Sequence, residues 1–171
     1  LFDDVIEARF FNPPSVATAL IIGGLVLLVL ERLDRTPRFA HAADIGFGIA
    51  LGIGVFQCLA MMPGTSRSAA TIIGAMVLGA SRPAAAEFSF FLAIPALTAA
   101  GLFEAATTDL KGLGIGQMAV GVVVAFGVAY ASIAWLLKFV ATNTLKAFVV
   151  YRVVLGVLMA IALGAGVLSA T

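Results

Sequence analysis

The run Pro63-Gly-Thr-Ser-Arg-Ser-Ala-Ala-Thr71 gathers the groups a phosphate site needs. Pro63 and Gly64 end one helix and permit a tight turn. Ser66 or Ser68 can cap the helix that follows. A helix N-terminus presents free N–H groups and the positive end of the macrodipole. The hydroxyls of Thr65, Ser66 and Ser68 and the guanidinium of Arg67 surround that end, and Thr71 lies one turn further in. Fixed N–H donors, hydroxyl donors and a planar bidentate cation are what phosphate binding requires. Arg67 and Ser66 are therefore candidates for direct action on a phosphoryl group, with Gly64, Thr65, Ser68 and Thr71 completing the cradle. The bland alternative is an Arg67 that snorkels from a simple loop. Against it, an arginine at bilayer depth costs roughly 2.5–3.5 kcal/mol on insertion scales and is functional by default. A snorkelling arginine would also need no capping residues around it.

The elements that must hold this run are set by composition. Of 171 residues, 62% are hydrophobic and 11% charged, and the mean hydropathy is +1.14. Soluble domains carry about 25% charged residues. A chain this apolar needs lipid as solvent, and an all-α polytopic membrane domain is expected. The net charge of +1 gives no case for nucleic acid. Cys58 lies in an apolar run and reads as an inert thiol. No charged segment with a cleavage site precedes the first apolar run, so no signal peptide is expected.

Four stretches are long enough to span: 16–31, 84–106, 115–140 and 147–168. Asn12-Pro13-Pro14-Ser15 reads as a stop followed by a helix start, and Pro95 should kink the second span unless neighbours satisfy the freed carbonyl. Between the first two spans, residues 45–80 read as a re-entrant helix–loop–helix hairpin with its tip at 63–68. The outgoing arm, Ala69–Ala80, would rise only about 18 Å, too little to cross. The inward arm is long enough to span, so it must tilt or begin irregularly near Asp44. Charge favours the hairpin. With it, Arg32, Arg35, Arg38, Arg82, Lys138 and Lys146 share one side, and only Arg9 and Lys111 fall on the other. The positive-inside rule puts the first group in the cytoplasm and both ends of the chain outside. Gly48-x-x-x-Gly52 reads either as a helix contact or as ordinary membrane-helix glycine.

Other polar residues have two readings each. His41 lies in the polar loop 31–44 and reads as a solvated residue. Glu87 reads as a helix N-terminal acid or a site residue, and Glu104 as interfacial. Arg152 either snorkels or pairs with an acid in the bundle. Tyr130, Trp135 and Tyr151 read as interfacial anchors, and no set of metal ligands is read from the chain.

Cys58–Gly101, with the phosphate-type motif and Glu87-Phe-Ser-Phe-Phe-Leu-Ala-Ile-Pro95, resembles the second signature region of the undecaprenyl-diphosphate phosphatase (bacitracin-resistance protein) family. Asn12-Pro13 and Ala147-Phe-Val-Val-Tyr-Arg152 are similar to the family's pattern as well. The family's first signature, with paired glutamates and a histidine, finds no match. The resemblance implies the second half of an inverted-repeat fold plus one helix. It implies hydrolysis of the terminal phosphate of undecaprenyl diphosphate in the bacterial cytoplasmic membrane, in service of peptidoglycan synthesis. It also implies a divalent cation (Mg or Ca) whose ligands lie outside these residues. As partners it implies the lipid substrate and either an N-terminal half or a second copy. The runner-up is half of a transporter or lipid-phosphate flippase that uses the tip as an anion site.

Overall fold

The computed structural model describes residues 12–33, 36–108 and 114–166. Arg9, Arg35, Lys111, both chain ends and the last residues of the expected fourth span lie outside these. Among the described residues six α-helices follow one another: α1 (Pro13–Arg32), α2 (Phe47–Cys58), α3 (Arg67–Val77), α4 (Arg82–Thr107), α5 (Ile115–Thr142) and α6 (Lys146–Gly164). Short 3₁₀ turns at Ala42–Asp44 and Leu59–Met61 flank α2. Four helices, α1, α4, α5 and α6, are long and apolar enough to cross a membrane. The chain is a polytopic α-helical membrane protein.

Local chemistry sets the helix ends. Asn12 caps α1, its side chain accepting from the Ser15 N–H at 2.9 Å, and prolines fill the first turn, where no N–H is needed. Ser81 caps α4 in the same way, accepting from the Ala84 N–H. α4 continues through Pro95 without interruption.

Small residues let α1 and α6 lie against each other. A Cβ at Gly156 would meet the Ala17 carbonyl at 3.0 Å, and one at Gly24 would meet the Val149 carbonyl at 3.5 Å. The inward arm begins irregularly: Ile45 and Gly46 are extended, and regular helix starts only at Phe47. α2 and α3 then pack side by side, with Phe56 against Gly74 and Leu78 against Gly52. Gly48 faces open space, so only Gly52 of that glycine pair makes a contact.

The segment between α1 and α4 leaves from and returns to one end of the bundle. There the Arg38 and Phe39 N–H groups donate to the Gly79 carbonyl at 2.8 and 3.1 Å, and the Ser81 N–H donates to the Phe39 carbonyl. Gly79 has φ +103°, a turn conformation that side chains disfavour. Glu31, its side chain 1% exposed, ties the same end together. It lies 3.5 Å from Arg82 Nε and accepts from the Leu145 N–H at 3.3 Å. Arg32, Arg38, Arg82 and Lys146 thus cluster at one end, with the His41–Asp44 pair in its exposed loop. The turn between α2 and α3 lies far from it. Gly64 abuts Val16 in the first turn of α1, roughly 24 Å along the helix from Arg32 at 1.5 Å per residue.

Candidate phosphate-binding site

The chain reverses at Pro63–Ser66, between α2 and α3. Gly64 takes φ +81°, and a Cβ there would lie 2.7 Å from the Val16 carbonyl oxygen, so glycine is required both by conformation and by space. The Thr65 N–H donates to the Met62 carbonyl and tightens the turn. Ser66 is the N-cap of α3, its Oγ accepting from the Ala69 N–H at 3.3 Å. The Ser66 carbonyl accepts from the Ala70 N–H. The first-turn N–H groups of Arg67 and Ser68 have no place in the helix ladder and are available to an anion. Ser66 Oγ and Ser68 Oγ lie 3.1 Å apart, a pair of hydroxyls beside that terminus.

A cavity of about 520 Å³ opens beside this turn. Gly64, Thr65, Ser66 and Ser68 form its polar end together with Ser89 of α4 and Tyr151 and Arg152 of α6. Leu20, Leu27, Phe90, Leu136, Phe148 and Leu155 carry it on as an apolar groove. Thr71 stands behind this wall. It is 1% exposed and shares a 2.6 Å hydrogen bond with Ser89 Oγ, and it also lies within bonding distance of the Arg67 and Ser68 carbonyls. Arg67, the first residue of α3, is half-buried; its side chain has no partner among the described residues and does not line the cavity. Gly64, Thr65, Ser66 and Ser68 are therefore brought together around the cavity, whereas Thr71 and the Arg67 side chain lie outside its lining.

Arg152 emerges only from the tertiary structure. It is 8% exposed, and its Nη2 donates to the Gly64 carbonyl at 3.3 Å. Among the described residues its Nε has no partner and no carboxylate lies within ion-pair reach. Burying a charge without a counter-charge is expensive. A cation held at the polar end of a cavity, opposite two hydroxyls and a helix N-terminus, is matched to an anionic ligand. The sequence offered Arg152 as snorkelling or acid-paired; among the described residues it has no acid within ion-pair reach. The available signal was an arginine about two turns inside an apolar span.

Glu87 is half-buried near the start of α4, and Glu104 accepts from Thr108 Oγ1 at the other end of that helix. Tyr130 stacks on Phe126, and Trp135 on Phe139. His41 lies in the exposed loop at the end of the bundle remote from the turn. The donors around the turn are hydroxyls, amide N–H groups and a guanidinium. Such a set attracts an anion and does not fit a divalent cation, and among the described residues no three of His, Cys, Asp and Glu converge.

The family described as bacitracin resistance protein BacA matches residues 1–158. A protein of Deinococcus radiodurans named undecaprenyl-diphosphatase is 47% identical over 99% of this chain and 63% of its own length. Proteins of the same name in Cupriavidus necator and, as undecaprenyl-diphosphatase 1, in Clostridioides difficile are 41% and 42% identical. They are matched over 99% and 93% of this chain and over 65% and 59% of their own lengths. The chain thus spans less than two thirds of the length of these relatives. With a match this long and relatives this similar, the chain belongs to the BacA bacitracin resistance family.

Proposed function

We propose that this chain carries the phosphate-binding part of a bacterial polyprenyl-diphosphate phosphatase, which releases the terminal phosphate of undecaprenyl diphosphate and leaves the monophosphate carrier. The observation that carries the reading is Arg152, a buried cation without a carboxylate partner among the described residues, facing the capped N-terminus of α3 across a cavity that runs on into an apolar groove. The name of the relatives supports the substrate.

In this reading the terminal phosphoryl group lies at the polar end of the cavity. Arg152 and the N–H groups of Arg67 and Ser68 neutralise its oxygens, and Ser66 and Ser68 orient it. Fixed donors aimed at a transferring phosphoryl group are the main source of catalysis in such chemistry. Arg67, at the first position of the same helix, supplies a second guanidinium from the outer side of the turn. Water attacks the terminal phosphorus, the P–O bond to the inner phosphate breaks, and the lipid monophosphate leaves. The base that takes the water's proton belongs to the family's first signature. A divalent cation, if the reaction uses one, takes its ligands from outside these residues. Residues 45–80 enter and leave the bacterial inner membrane from the cytoplasmic side, so the turn faces the outer leaflet. The clustering of Arg32, Arg38, Arg82 and Lys146 at the opposite end supports this orientation.

The test uses the purified intact protein in vesicles loaded with undecaprenyl diphosphate. Arg152→Gln and a Ser66→Ala, Ser68→Ala double variant should both lose phosphate release while remaining inserted and folded. Full release by folded Arg152→Gln would overturn the site. Passage of lipid across the vesicle without phosphate release would make the anion site a transporter's instead.

A further inference from the structure

We propose that Gly23 is a positioning residue of the phosphate site, because the missing side chain at this position leaves the slot in which the Arg152 guanidinium lies. The proposal rests on the reading of Arg152 as the phosphate's counter-charge.

Three glycines line the contact between α1 and α6, and they do different things. A Cβ at Gly24 would come within 2.8 Å of Val153 Cγ2 and 3.5 Å of the Val149 carbonyl. A Cβ at Gly156 would come within 2.7 Å of Ile21 Cγ1 and 3.0 Å of the Ala17 carbonyl. These two let the helices close on each other. Gly23 is different. The nearest atoms a Cβ would meet there all belong to one side chain: Arg152 Nη2 at 2.8 Å, Cζ at 3.4 Å and Nε at 3.6 Å. The guanidinium crosses the surface of α1 at the point where α1 has no side chain, and from there its Nη2 reaches the Gly64 carbonyl.

This geometry separates packing from function. The three atoms nearest a methyl group at position 23 all belong to the far end of a flexible side chain. Arg152 can move aside and the helices can stay where they are. Alanine is also the better helix former, so α1 is not weakened. What is lost is the guanidinium's position: it leaves the slot, and its contact with the turn at Gly64 is broken. A phosphate bound opposite Ser66 and Ser68 then faces a displaced cation, and a misplacement of about 1 Å can cost two orders of magnitude in rate.

The experiment is a double-mutant cycle in the purified intact protein with undecaprenyl diphosphate, reading kcat, KM and thermal unfolding for wild type, Gly23→Ala, Arg152→Ala and the double variant. Gly23→Ala should lower kcat/KM about tenfold or more with an unchanged unfolding midpoint. In the Arg152→Ala background the same change should have less than a twofold effect, because its target is gone. Gly24→Ala, which strikes Val153, should lower the unfolding midpoint and remain additive with Arg152→Ala. Wild-type kinetics for Gly23→Ala, an effect that persists undiminished without Arg152, or loss of folded protein would each overturn the inference. Full activity of Arg152→Ala would instead overturn the phosphate-site reading beneath it.

Discussion

Replacing Arg152 by methionine should separate stability from activity. The perturbation keeps an unbranched apolar stem in place and removes the guanidinium with its charge and donors. On the stability side, three terms compete. An arginine at membrane depth costs roughly 2.5–3.5 kcal/mol on insertion scales. The partnerless Nε, buried beside Gly23, adds about 1–3 kcal/mol for an unsatisfied donor. Against these stands the hydrogen bond from Nη2 to the Gly64 carbonyl, at 3.3 Å a long one, of about 1.5–3 kcal/mol for a charged donor. The costs exceed the gain, so Arg152→Met should be at least as stable as the parent. On the activity side, the phosphate loses its buried counter-charge and two charged hydrogen bonds. At the same roughly 1.5–3 kcal/mol each, that is a fall of about 10² to 10⁴ in kcat/KM. The assay is thermal unfolding of the purified intact protein alongside phosphate release from undecaprenyl diphosphate. A variant that is destabilised by more than about 2 kcal/mol, and loses activity only in proportion to its unfolded fraction, would refute the reasoning. Arg152 would then be a strut for the turn at Gly64 and no ligand of phosphate.

Three further outcomes follow from the same geometry. Thr71→Val should cost about 1–2 kcal/mol of stability, because it strands the Ser89 hydroxyl bonded to it at 2.6 Å, and a double-mutant cycle with Ser89→Ala should show coupling; unchanged stability with a hundredfold activity loss would put Thr71 on the substrate instead. Arg82→Ala removes the cation beside the almost fully buried Glu31 carboxylate and should lower stability by about 1–3 kcal/mol, with Arg82→Ala, Glu31→Gln recovering part of it in chemical denaturation. Arg67→Lys, which keeps charge but loses the bidentate fork, should reduce phosphate release about tenfold to hundredfold, and Arg67→Ala more. Equal activity of lysine and arginine at position 67 would identify a side chain that only snorkels.

What the residues determined by themselves is local. Span lengths follow from apolar run lengths against a fixed bilayer thickness, and α1, α4, α5 and α6 appear where those runs are. Asn12, Ser66 and Ser81 cap helices because a short polar side chain can satisfy an N–H two or three residues ahead, whatever surrounds it. The capped start of α3, on which the proposed anion site rests, was legible for the same reason.

Tertiary structure decided what faces what. Spans that are apolar nearly all round carry no hydrophobic stripe to set their rotation. The sequence therefore could not say that Arg152 meets Gly64, 88 residues away, or that Gly23 lies beneath it. The two sides of Arg67 and Thr71 were equally hidden. Thr71 turns its hydroxyl to Ser89 because α4 packs there, and Arg67 is not among the residues that line the cavity, although its neighbours Ser66 and Ser68 are. A cap is a property of four consecutive residues. A buried cation opposite a helix N-terminus is a property of how three separate segments, α1, α6 and the turn before α3, pack together.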